Sequence, residues 1–284
     1  MIDALSVKGH DLAGNLIVGE TSYQTFLRLF RSGIDPGPRR EAAAPLYGFF
    51  VDQILQEPAQ SSVGGARPKF ALRLADGSGL IVKFTPPLST AAGQRWADLL
   101  RMEAHASSVL RSAGLESVHC RYLELDNRGY LEIERFDRVA GGGRVGHVTL
   151  FHLGAACYSE VADPATVVQN LVRDGHLRPD DEHCFRRIHE FSGAIGNDDT
   201  HQGNYGLLID DAGLARLAPA YDVVPMAFAP RHDELPDRFV KGMNQQRGRE
   251  TAKLVSQLVE EVRADPGITP AFRDAWTECV AEPA

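Results

Sequence analysis

Asp199 and Asn204 stand with four residues between them in Asp199-Thr200-His201-Gln202-Gly203-Asn204, and a second acid, Asp222, follows inside Leu217-Ala218-Pro219-Ala220-Tyr221-Asp222-Val223-Val224. Phosphoryl transfer from ATP needs a carboxylate to orient the attacking hydroxyl and accept its proton, and hard oxygen ligands for Mg²⁺. An Asp, four residues and an Asn is the spacing of a kinase catalytic loop. Asp199 is then the candidate base, and Asn204 and Asp222 the candidate metal ligands. Taken alone, an Asn/Asp/Gly cluster is more often a turn, since these residues tolerate turn geometry and bond their own backbone. A calcium loop is the other reading, but the spaced acids and terminal bidentate Glu of an EF-hand are missing.

Two features upstream change that balance. Lys83 interrupts the apolar strand pattern Leu80-Ile81-Val82-Lys83-Phe84, where Val82 and Phe84 share one face and Lys83 takes the other. Glu103 falls on the apolar stripe of a helix over 91–112, with Trp96, Leu99, Leu100, Ala106 and Leu110. A carboxylate on such a stripe needs a partner. If the Lys83 face covers a nucleotide, Lys83 grips phosphate and Glu103 holds Lys83 in place. The Gly-rich turn Ser61-Ser62-Val63-Gly64-Gly65-Ala66-Arg67-Pro68-Lys69 has backbone N–H groups able to cover phosphates.

These residues need a frame to hold them. Helical spacing is read for 22–31 (Tyr23, Phe26, Leu27 and Phe30 on one face) and for 46–55 (Phe49, Phe50 and Ile54 on one face). Strands are expected at 70–74 and 80–84, joined by an Asp76-Gly77 hairpin, and at 130–137. After Gly141-Gly142-Gly143 the signals turn helical, at 150–159, 165–172, 183–194 and 252–262, with a strand at 205–209. Strands with one helix, followed by helices, give an α+β order with two lobes.

With 284 residues and 43% hydrophobic composition the chain can bury a sizeable core. A formal charge of −8 argues against direct binding of nucleic acid through a basic surface. Cys120, Cys157, Cys184 and Cys279 have no paired spacing that would suggest zinc or a redox motif, and suit a reducing cytosol. With no signal peptide and no membrane-length apolar run readable, the expectation is a soluble, cytoplasmic protein with no membrane partner.

In this order, SSVGGARPK, IVKF, EIERFDR, IGNDDTHQGN and LAPAYDVV resemble the HipA family of serine/threonine kinases, the toxins of bacterial toxin–antitoxin modules. The resemblance runs from about Ser61 to Val224 and implies a protein-kinase-like fold with a small β-rich N-lobe and a mainly helical C-lobe. It further implies ATP and Mg²⁺ as cofactors and a protein substrate phosphorylated on Ser or Thr, with aminoacyl-tRNA synthetases as the substrate class. By resemblance, Ser62, with Ser61 beside it, matches the autophosphorylated serine of the Gly-rich loop, and Gly64, Gly65 and Lys69 belong to the nucleotide-covering loop. A phosphate there adds nearly two negative charges to a loop that must sit on ATP phosphates. Lys83 matches the nucleotide-gripping lysine. Glu134 and Phe136 match the interlobe hinge whose backbone meets adenine, and Asp137 is placed near the ribose.

Gly203 stands where family members often carry Lys, which leaves phosphate neutralisation to Lys83, His201 or Lys69. A His there is only part-charged near neutrality. Residues 1–45 read as a remnant of an N-terminal subdomain with a linker, 46–140 as an ATP-binding N-lobe and 141–284 as the C-lobe. The expectation is a shortened or split member, partnered by an antitoxin or a separately encoded N-terminal subdomain. Three other readings stay open: a small-molecule kinase, a metal-dependent phosphodiesterase or nuclease using the same three oxygen ligands, and a non-catalytic nucleotide-binding protein.

Overall fold

The computed structural model describes residues 11–31, 37–56, 68–158, 163–210, 213, 215–231, 235–236 and 248–281. Helix α1 (Glu20–Arg31) leads to α2 (Tyr47–Gln56). A four-stranded antiparallel sheet follows, in the order β1 (Lys69–Arg73), β2 (Gly79–Phe84), β4 (Arg128–Glu134), β3 (Cys120–Leu125). Between β2 and β3 runs α3 (Ala91–Ser112), whose first turn is capped by Thr90 accepting the Gly93 N–H at 3.0 Å.

The period-two pattern of the strands decides what each sheet face meets. Phe70, Leu72, Leu80, Val82, Phe84 and Tyr130 form one core with Tyr47, Val51 and Ile54 of α2. The buried positions of α2 are spaced four and three apart, so the helix turns Phe49 outward at 62% exposure, contrary to the apolar face read from the sequence. On the opposite sheet face, Leu131 and Ile133 pack with Leu100 and Val118, with Ile81 beside them.

Two tight turns fix the sheet's register. In the Asp76-Gly77 hairpin, the Asp76 carboxylate accepts the Ser78 N–H at 2.9 Å, and Gly77 takes φ +87°, which a Cβ would oppose. Asp126 and Asn127 both have positive φ (49° and 60°), the geometry of a type I′ hairpin between β3 and β4. Strand β3 lay outside the sequence expectation because its residues are only half-buried and show no clean alternation. Strand β4 stops at Glu134, so the expected strand over 130–137 ends three residues early, where Arg135 begins a buried ion cluster.

The second half adds short strands β5 (Arg138–Val139), β6 (Gly143–Arg144) and β7 (Gly146–Thr149), then α4 (Leu150–Cys157), α5 (Pro164–Arg173) and α6 (Pro179–Ala194). Strands β8 (Gly206–Ile209) and β9 (Ala215–Leu217) complete a sheet of order β7-β8-β9, and α7 (Arg249–Ala264) and α8 (Pro270–Ala281) follow. The larger core lies here, yet α3 enters it through Leu99, Met102, Ala106, Val109 and Leu110. Each fully buried large aliphatic contributes about 1.5–3 kcal/mol. One helix therefore touches both halves, so its register sets their relation. Among the described residues, no helix is long and apolar enough to cross a membrane.

Candidate active site

Antiparallel pairing places Lys69 directly opposite Lys83, on the sheet face that looks toward α3. Both lysines are buried. Two such cations need counter-charge, and α3 supplies the first: Lys83 Nζ donates to Glu103 Oε1 at 2.6 Å and Oε2 at 2.7 Å, with Glu103 1% exposed. The Asp222 carboxylate supplies the second, pairing with the same ammonium. Burial works against the charge on Lys83, but Asp222 and Glu103 outweigh it and hold the ammonium well above its ordinary pKa. Burial also opposes ionisation of Asp222, yet Lys83 and then Lys69 keep it below the usual carboxylate range. For Glu103 burial prevails, pushing it up despite Lys83.

Asp222 has φ 56°, a left-handed conformation uncommon outside glycine, Asn and Asp. Backbone strain of this kind gathers at functional sites. Its carbonyl is held by Asn197, a buried amide with three bonds: Nδ2 donates to the Asp222 carbonyl at 3.1 Å and to Ser192 Oγ at 2.9 Å, while Oδ1 accepts the Asp199 N–H at 3.1 Å. One side chain thus ties the loop carrying Asp199 to the segment carrying Asp222. A sequence reading assigns no role to Asn197, since an Asn in an Asn/Asp/Gly run looks like any turn residue.

Beyond Asn197 the loop closes on itself. Asn204 Nδ2 donates to the Asp199 carbonyl, and the N–H groups of His201 and Asn204 donate to the carbonyls of Asp199 (3.1 Å) and His201 (2.9 Å). Gly203 N–H donates to His201 Nδ1 at 3.0 Å, which directs Nε2 toward Asp199 Oδ1 at 3.7 Å. Asp199 itself is 57% exposed, so its carboxylate faces solvent rather than the core. Behind the loop, Trp276 Nε1 donates to the Ile195 carbonyl at 2.9 Å, and Tyr221 Oη donates to the Gly203 carbonyl at 3.2 Å. Asn197, Thr200, Asn204, Tyr221 and Asp222 line one pocket, so both candidate metal ligands border the same space.

The structure therefore gathers Lys69, Lys83, Glu103 and Asp222 in one cluster, and Asp199, His201 and Asn204 in one loop tied to it. Phe136 stacks against Tyr221, with ring centroids 6.0 Å apart, beside this cluster. The Glu134 carboxylate turns to Arg40, and its N–H donates to the His119 carbonyl at 3.0 Å. Asp137, which the resemblance places near a ribose, has its carboxylate engaged by groups of the protein. It is 5% exposed, and its carboxylate accepts from Arg135 at 2.9 Å, from Arg138 at 3.0 Å and from the Gly14 N–H at 2.7 Å. Two guanidinium groups bind it more strongly than a neutral sugar hydroxyl would. Ser61, Ser62, Gly64 and Gly65 lie outside the described residues.

The donor set suits Mg²⁺ as a hard cation: one ionised carboxylate and one amide oxygen, with no group of three His, Cys, Asp or Glu side chains among the described residues that would build an all-protein metal cage.

Toxin YjjJ of Escherichia coli (strain K12) is 29% identical over 280 residues, covering 95% of this chain and 62% of that protein, so the chain spans less than two thirds of its relative. The crystal structure of the Helicobacter pylori proinflammatory kinase CtkA superposes with a TM-score of 0.52 at 14% identity, over 75% of this chain and 89% of that one, and the two share a fold. The HipA, HipB and operator DNA complex of Shewanella oneidensis MR-1 gives a TM-score of 0.44 at 14% identity, over 81% of this chain and 68% of the matched one. The HipA-like C-terminal domain family matches residues 61–282, more than half of the chain, and the chain belongs to that family.

Proposed function

We propose that the chain is an ATP- and Mg²⁺-dependent serine/threonine protein kinase of the HipA toxin type. The observation that carries this reading is the buried Lys83–Glu103 pair, whose ammonium also meets Asp222. A strand lysine fixed by a helix carboxylate beside a metal-binding acid is the arrangement that positions ATP phosphates in protein kinases. A phosphodiesterase site has no need of that pair.

In this reading Lys83 binds phosphate oxygens, with Glu103 fixing its direction and Lys69 adding a second positive charge. Asn204 and Asp222 hold Mg²⁺, which neutralises charge on the phosphates when bound. Asp199 orients the attacking Ser or Thr hydroxyl and takes its proton as the oxygen bonds to the γ-phosphorus and the bond to the ADP oxygen breaks. Asn197 keeps the base loop and Asp222 in register. The toxin type rests on the likeness to toxin YjjJ; an antitoxin or separately encoded N-terminal subdomain as partner and a cytoplasmic location belong to the same proposal.

Intact mass spectrometry and peptide mapping after incubation with ATP and Mg²⁺ test the proposal. A phosphate on Ser62 or Ser61 is expected in the wild type and absent from Asp199→Asn. Unmodified protein that instead cleaves a phosphodiester substrate would replace the kinase reading with the phosphodiesterase one.

A further inference from the structure

Four polar residues of α3, Asp98, Arg101, His105 and Ser112, recur at helical spacing and so share one stripe along the helix. Each meets α7 or the turn that joins it to α8. The Asp98 carboxylate accepts the Thr269 N–H at 2.7 Å and the Thr269 hydroxyl at 2.6 Å. His105 places Nδ1 3.2 Å from Glu261 Oε2 and Nε2 2.9 Å from Asp265 Oδ2, so both ring nitrogens end on carboxylates. Gln257 donates to Ser112 Oγ at 2.8 Å and to the other Glu261 oxygen at 3.4 Å.

Arg101 carries this seam on to the sheet. Its guanidinium lies 4.1 Å over the Tyr122 ring, with Glu124 of β3 at 3.1 Å and Asp265, just past α7, at 3.5 Å. A side chain on Gly267 would collide with that guanidinium, and the Gly267 N–H donates to Asp265 Oδ1 at 2.8 Å. Burial works against the charge on Asp265, yet His105, the Gly267 N–H and Arg101 hold it below the usual carboxylate range.

Helix geometry relates the seam to Glu103. At 3.6 residues per turn, positions two apart lie about 200° round the axis. Glu103 is two residues after Arg101 and two before His105, and so leaves α3 on the side away from them. A slide or rotation of α3 would carry its carboxylate off Lys83, which it meets at 2.6 and 2.7 Å. We infer that Arg101 and His105 are positioning residues, which fix α3 to the α7–α8 turn and to β3 so that Glu103 stays on Lys83. What this does for phosphate transfer rests on the kinase reading; the hold on Glu103 does not.

Trace acetylation of the whole chain with acetic anhydride, read lysine by lysine in peptide mass spectra, tests the inference without any turnover. Lys83 is buried and Lys253 on α7 is exposed, so the ratio of their labelling reports the state of the Lys83 pair. In a folded double variant, Arg101→Met with His105→Ala, the ratio is expected to rise about tenfold or more as the pair opens locally. Asp265→Asn, which removes the charge both residues share, is expected to raise it too, and decides the matter if the double variant does not fold. Thr251→Val breaks the contact of α7 with Glu190 on α6 and is expected to leave the ratio at its wild-type value. Unchanged labelling of Lys83 in the folded seam variants would overturn the inference. So would equal exposure of Lys83 by Thr251→Val, which would make the effect a general loosening of α7. Absence of phosphate transfer in the wild type, with Lys83 labelled as expected across the variants, would reject the kinase reading and leave the seam standing.

Discussion

Lys83 and Asp222 are separated by 139 residues of sequence, yet the ammonium of one meets the carboxylate of the other, with Glu103 on the same nitrogen. That contact joins the sheet, α3 and the segment after β9 through a single charge. Lys83→Met leaves Glu103 buried without its cation, so a loss of about 3–5 kcal/mol is expected. Glu103, already above its ordinary pKa, rises further in the variant. A folded-state pKa above the unfolded one stabilises at low pH and loses that contribution as pH rises through the folded value. Denaturant melts of wild type and variant should therefore differ less near pH 5 than near pH 8.

Asn197 acts through others, and its loss should be read as misplacement. Asn197→Ala removes the bonds to the Asp222 carbonyl and the Asp199 N–H. Each buried group left unsatisfied costs about 1–3 kcal/mol. Under the kinase reading, kcat for phosphate transfer should fall about tenfold or more while KM for ATP moves little, because misplacement costs the transition state more than binding. A larger change in KM than in kcat would place Asn197 in nucleotide binding instead.

Asp222 carries a backbone demand as well as a chemical one. Asn tolerates the left-handed region where most side chains do not, so Asp222→Asn should lose only the charge paired with Lys83 and melt below wild type but above Asp222→Val. Under the kinase reading it should lose Mg²⁺-dependent transfer, since the charged side chain proposed to hold the metal is gone. Asp222→Val should unfold at clearly lower temperature, from the positive φ together with the loss of the Lys83 pair.

Asp137 gives a prediction independent of any activity. Burial opposes its charge, but Arg135 and Arg138 overcome that and hold its pKa below the ordinary range. A lowered folded pKa stabilises above the unfolded value and loses that stability as pH falls through the folded one. Asp137→Asn should cost about 3–5 kcal/mol near pH 7. The difference from wild type should shrink below about pH 4, the unfolded Asp value, in denaturant titrations at the two pH values.

Much of this site was legible because chemistry conflicted with pattern. A lysine inside Leu80–Phe84 and a glutamate on the stripe of α3 each violate local burial rules, and the structure pairs them. The span of α3, 91–112, followed directly from its apolar period. Legibility failed where the local signal is ambiguous or the partner is distant. Asn197 looks like a turn residue until Ser192 and Asp222 are placed around it. The Asp137 carboxylate follows its nearest cations and the N–H of Gly14, 123 residues earlier, which no spacing announces. The outward turn of Phe49 depends on which α2 stripe meets the sheet. Helix α8 had no sequence expectation, although its Trp276 supports the loop through Ile195.

The most direct test of the central claim is transfer of label from γ-³²P-ATP to protein in the presence of Mg²⁺, compared between wild type and Asp199→Asn at equal folded concentration. Asp199 is exposed, so the substitution should leave the fold intact. Label is expected on wild type, with a fall of at least about a hundredfold in the variant, within the ~10²–10⁴ range for a lost general base. Equal labelling of the two proteins would contradict it, because phosphate transfer would then proceed without the carboxylate on which the site is built.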